Sequence, residues 1–148
     1  MRKNVFAAAL MLSLGLGVLS SAQARDIKHL FPLADAMKEA DASKKLDGSV
    51  KFFFAGQDHP AVAETFISDV SNKKTNSRTT DEVACNWAFL SALISFQERA
   101  HALGADAVVN IVSYYKKDEM ASATEFECHA GAIMVGVALK GDFVKLAK

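Results

Sequence analysis

Nothing in the 148 residues provides a cradle for a nucleotide: neither GxxxxGK[ST] nor GxGxxG occurs, and phosphates bind where such a turn exposes backbone N–H groups. The GxSxG elbow of a hydrolase, the HExxH helix of a zinc protease and the CxxC pair of a redox protein are missing as well. Charge of one sign is also lacking. Seventeen basic residues face seventeen acidic ones, and the basic doublets Lys44-Lys45, Lys73-Lys74 and Lys116-Lys117 lie in stretches that read as loops or strand ends. Such a balance excludes a nucleic-acid partner, because neutralising phosphates needs a clustered positive excess. No internal repeat and no low-complexity stretch interrupts the chain.

Long apolar runs are scarce too, and the longest lies at the start. Arg2 and Lys3 precede an Ala/Leu/Met/Gly-rich run from Val5 to Leu19, and Ala22-Gln23-Ala24 gives the small-x-small pattern that signal peptidases accept. The run is shorter than the ~20 residues needed to cross a bilayer. A signal peptide over 1–24 is therefore expected, with residues 25–148 as one domain and no stable membrane anchor after cleavage; the competing reading is an uncleaved anchor. No Cys sits near the cleavage site to carry a lipid. The expected location is the bacterial periplasm or the medium, and losing Arg2 and Lys3 leaves a small acidic excess.

What the chain does hold is organised around Thr79–Tyr115. Thr79 followed by Glu82 makes a capping-box pattern. Placing the residues at 100° intervals then gives two adjoining apolar stripes: Val83, Trp87, Leu90 and Ile94, and Cys85, Phe89, Leu93, Phe96, Ala100 and Leu103. A helix this apolar must be covered on two sides, by its own sheet and by either the amino-terminal segment or another subunit. Gly104 ends it, and Ala107–Tyr115 reads as a strand apolar on both faces with Asn110 as its polar exception.

Upstream, Ser49–Ala55 and a segment alternating Val62, Phe66 and Val70 read as strands, with a weak short helix at Asp35–Ala42. Downstream, Thr124–Lys140 reads as one long strand with a bulge or bend near Gly131. Gly141 closes it, and 142–148 is a tail. The order β-β-α-β-β predicts an α+β domain: an antiparallel sheet of about four strands with one long helix on one face.

Cys85 and Cys128 are the only cysteines. In an exported chain two thiols suggest one disulfide. Cys85 lies on the stripe with Phe89 and Cys128 on the small-residue face of the last strand, so the sulfurs converge if that stripe covers that face. The competing chemistry is a metal site of Cys85, Cys128, His129 and His59, although His129 points away from Cys128 on a regular strand. Tyr114, Tyr115 and His129 are the candidate binding residues, beside an acidic edge of Asp118, Glu119, Glu125 and Glu127 that reads as solvated. Trp87 reads as core, and His101 as a partner of the helix dipole. No nucleophile–base pair can be named, so no enzyme and no cofactor is expected.

The runs LGADAVVNIVSYY and CHAGAIMVGVALK resemble the carboxy-terminal half of RcsF-type envelope-stress lipoproteins and, more loosely, YbjQ-like small domains, over roughly 79–139. The resemblance implies a compact sheet-and-helix envelope domain in which Cys128 bonds to an earlier cysteine, here Cys85. A lipobox cysteine, a proline-rich linker and a second disulfide are absent from this chain. Over its whole length the chain is similar to small exported bacterial proteins labelled "excinuclease ATPase subunit", a label that implies ATP-dependent DNA repair. The function expected from these readings is a non-enzymatic exported domain that binds an envelope protein or itself. The alternative is a periplasmic small-molecule or metal-binding protein.

Overall fold

The computed structural model describes residues 24–148, so the expected signal peptide, all but its last residue, lies outside the described residues. The chain runs β1 (Ile27–Pro32), α1 (Leu33–Ser43), β2 (Lys51–Phe54), β3 (Val62–Asn76), α2 (Asp81–Leu103), β4 (Ala107–Ser113), a 3-10 turn (Tyr115–Lys117), β5 (Glu125–Ala130) and β6 (Met134–Leu146). The strands make one six-stranded sheet in the order β1-β5-β6-β4-β2, with β3 also on β6. β6 is the spine. β3 follows one of its edges from end to end, while β4 and β5 divide the other edge between them.

The α+β class is as expected, but the sheet is larger and not wholly antiparallel. β2 runs parallel to β4, and β1 is a strand that the sequence reading did not anticipate. Its apolar residues are split by Lys28 and His29, and Pro32 denies it a backbone donor, which confines it to the sheet edge. There, among the described residues, it pairs with β5 alone. Pro32 also precedes the first turn of α1, whose Leu33, Ala36 and Ala40 are buried at helical spacing.

Four boundaries moved for physical reasons. The long final strand is a hairpin, because Gly131 N donates to Met134 O and turns the chain; a Cβ on Gly131 would stand 3.0 Å from that oxygen. The tail continues β6 to Leu146, because Gly141 does not close the strand but lets it pass over β4, where a Cβ would meet Val108 Cγ1 at 2.6 Å. β3 continues through its polar end to Asn76, since β6 supplies backbone partners there whatever the side chains are. The cap of α2 is Thr80 rather than Thr79: its Oγ1 accepts from Val83 N at 3.3 Å. Gly104 closes the helix in the left-handed region at φ 76°.

α2 buries Cys85, Phe89, Leu93, Phe96 and Ala100 against the sheet. The second stripe divides: Leu90 is buried on the side of the groove shared with α1, whereas Val83 is exposed and Trp87 is 50% exposed. Trp87 is therefore not a core residue. The amino-terminal segment covers part of that stripe, too short a helix to reach all of it, and the Lys45 ammonium lies 5.1 Å over the Trp87 ring.

Candidate functional site

The strand alternation of β5 decides what each of its side chains does. Phe126, Cys128 and Ala130 are buried in the core beneath α2, so Glu127 and His129 emerge on the opposite face of the sheet. Cys85 and Cys128 are bonded, with Cα atoms 5.9 Å apart, and both are fully buried. The bond ties the first turns of α2 to β5 and removes both sulfurs from the proposed metal set. His59 sits elsewhere, against Phe53.

On the face away from α2 the 3-10 turn after β4 lays Tyr115 flat on His129, centroids 3.6 Å apart and planes 8° from parallel. His129 pairs in register with Gly136 of β6, where a Cβ would lie 3.5 Å from Tyr115 Cε2, in ordinary contact with the ring. Both ring nitrogens of His129 meet carboxylates: Nδ1 lies 2.8 Å from Asp26 Oδ1 and Nε2 lies 2.6 Å from Glu127 Oε1. Lys28 Nζ adds an ion pair to Glu127 Oε2 at 2.8 Å, and Lys116 Nζ one to Asp26 Oδ2 at 3.1 Å. Ser113 Oγ accepts from Glu127 N at 2.9 Å, joining the end of β4 to β5.

Glu127 is not the solvated carboxylate that the acidic run suggested, since it is only 5% exposed. Burial pushes its carboxyl up, but hydrogen bonds from Lys28 and His129 outweigh burial and hold it below the usual range. Asp26 is likewise lowered, first by its hydrogen bond with His129 and then by Lys116. Tyr114 shares the neighbourhood but not the cluster: Lys140 lies 5.1 Å over its ring and bonds Glu119 Oε1 at 2.7 Å. His101 does sit in the last turn of α2, and its Nε2 is 2.7 Å from Ser49 Oγ.

Two open clefts flank the Tyr115–His129 stack. One, of about 290 Å3, is lined by Arg25, Asp26, Lys74 and Met134; the other, of about 320 Å3, by Lys28, Lys116, Glu119 and Met120. With both nitrogens engaged and one face covered, His129 is not placed as a base or a metal ligand. Asp26 and Glu127 occupy opposite edges of its ring, so the three cannot chelate one ion. The arrangement is a rigid aromatic platform in a rim of both charges. Sequence reading named Tyr115 and His129 but missed Asp26 and Lys28, whose only signal would have been recognition of 27–32 as the strand beside β5.

Comparison with protein-family models, with curated proteins and with solved structures finds no match to the chain.

Proposed function

We propose that the chain is a non-enzymatic binding domain of the bacterial envelope, related in kind to RcsF-type and YbjQ-like domains, and that it takes a protein partner on the sheet face opposite α2. The observation that carries this reading is the Tyr115–His129 stack held by Asp26, Glu127, Lys28 and Lys116. A tyrosine fixed in place offers a large amphipathic contact at little entropic cost. Paired charges around it select a partner by complementarity. The buried disulfide supports an oxidising compartment, and among the described residues no helix is long and apolar enough to cross a membrane.

A photo-crosslinking residue at position 114, compared in envelopes with one at the exposed position 98 of α2, tests the reading. A discrete adduct from 114 alone, lost on Tyr115→Ala, supports it; identical patterns from both positions oppose it. A periplasmic small molecule is the second reading, favoured by the two clefts, whose volumes lie at the lower bound of ligand sites. Titration of a polar metabolite mixture that raises the melting temperature, but not that of Tyr115→Ala, would select it instead.

A further inference from the structure

The outer edge of β3 carries no strand among the described residues, although β3 is the longest strand in the sheet. Its free backbone groups can be assigned. Just past the end of β3, Ser77 N donates to the carbonyl of Ile133, the residue before β6, so alternation turns the backbone of Thr75, Lys73 and Ser71 toward β6 and that of Lys74, Asn72 and Val70 outward. The partner strand agrees: Ala138, opposite Asn72, gives its carbonyl to Tyr114 N on the β4 side.

One residue on this strand is anomalous. Ser71 is 6% exposed, and its Oγ has no hydrogen-bond partner among the described residues, a condition that costs a buried hydroxyl free energy. It lines a cleft of about 330 Å3 between β3 and α2, together with Asp69, Lys73, Ser95 and Arg99. Asp69 and Lys73 lie on the same face of the strand as Ser71, two residues to either side of it. Asp69 already holds Arg99 Nε at 3.3 Å.

We propose that this edge is the interface between two copies of the chain, with β3 pairing antiparallel to β3 about a two-fold axis through Ser71. In that register Ser71 faces Ser71, Val70 faces Asn72, and Asp69 faces Lys73 twice over. The outward backbone groups of Val70 and Asn72 exchange the hydrogen bonds. Ser71 and its copy form a non-hydrogen-bonded pair, where side chains approach most closely, and each unpartnered hydroxyl gains the other. Neighbouring registers are worse. An axis at Asp69 or at Lys73 sets like charges opposite each other, which destabilises a sheet pair; an axis at Val70 or Asn72 loses both ion pairs. Strands paired over Phe66–Asn76 would join the two sheets into one. α2 packs over the same β3 as well as β6, so the two long helices would lie on one face of the joined sheet, on either side of the axis, with Ser95 lining the cleft between β3 and α2 in each copy. The proposal shares with the preceding reading only that a second copy is one kind of protein partner; the tyrosine face takes no part in it.

The test is a charge exchange on the full mature chain. The wild type should sediment as a dimer at tens of micromolar. Asp69→Lys alone and Lys73→Asp alone each set like charges opposite one another at two symmetric contacts, and each should weaken the dimer by about tenfold or more in Kd. Mixing the two variants restores opposite charges at every contact, so native mass spectrometry should show the mixed dimer and little of either homodimer. Near-UV circular dichroism of each variant guards against misfolding. Ser71→Cys should form a reductant-sensitive covalent dimer in air, and Thr75→Cys should not. A wild-type monomer throughout overturns edge pairing and self-association together, while leaving the position-114 crosslink to judge the tyrosine face. A dimer indifferent to both charge reversals, or variants that fail to form the mixed dimer, overturns this interface while keeping self-association.

Discussion

At residue scale, the chemistry of this domain is concentrated in a few side chains held by opposite demands. Glu127 is buried yet ionised because Lys28 and His129 replace the water it gave up. Its folded pKa and that of Asp26 lie below their ordinary values, and ordinary values are about 4. The stability they contribute is therefore complete above roughly pH 4–5 and is lost as the pH falls through the folded values. Urea unfolding across pH 2–7 should show this acid limb. Glu127→Gln should flatten it and lower stability at neutral pH by about 1–3 kcal/mol, since Lys28 and His129 lose a charged partner; an unchanged acid slope would contradict the assignment. Gly141 poses a steric case. A methyl group there meets Val108 Cγ1 at 2.6 Å and Ile111 Cγ1 at 3.1 Å, so Gly141→Ala should cost about 1–3 kcal/mol. Adding Val108→Ala should recover part of that loss in thermal unfolding. If the second change only deepens the loss, the clash is not what makes glycine necessary.

At the scale of elements, α2 and β5 behave as one clamped unit. The Cys85–Cys128 bond closes a separation of 43 residues that includes most of α2, all of β4 and the 3-10 turn. Constraining that loop in the unfolded chain is worth ~2–4 kcal/mol. Replacing both cysteines by alanine should lower the unfolding free energy by that amount while far-UV circular dichroism stays native. Protein purified without reductant and then denatured should show no free thiol; two thiols would return the pair to the ligand reading. β4 illustrates a different device. Its register against β6 slips between Val109 and Val112, with Asn110 at φ 52°. Asparagine tolerates that conformation better than most residues, and its Nδ2 bonds Asp142 Oδ2 at 3.0 Å. The one polar residue in the interior of an otherwise apolar strand is the one that bends it.

For the whole molecule, the first described residues are tied down rather than loose. Arg25 bonds Asp81 at 2.5 Å and the carbonyl of Gly131, Asp26 bonds His129, and β1 pairs with β5. A chain beginning at Arg25 would keep all of these contacts. Protein recovered from its native envelope should accordingly start at Arg25, and amino-terminal sequencing that finds Met1 there would oppose export with cleavage.

Local chemistry was enough to announce some of this architecture. The apolar stripes of α2, its glycine stop, the double-sided strand from Ala107 and the opposed faces of Cys128 and His129 all follow from side-chain periodicity, which one segment carries within itself. The sequence also suggested a Cys85–Cys128 bond, since they are the only two thiols, but that the helical stripe covers the small-residue face of β5 was settled by the tertiary structure. The edge strand β1, the parallel partner β2, the hairpin at Gly131 and the extension of β6 past Gly141 depended on tertiary structure. Each owes its form to backbone bonds or clearances supplied by a distant segment, and no periodicity records those. The Tyr115–His129 stack combines both sources: its two rings were legible in the chain, while the Asp26, Lys28 and Lys116 charges that hold them arrive only when β1 and the 3-10 turn close around β5.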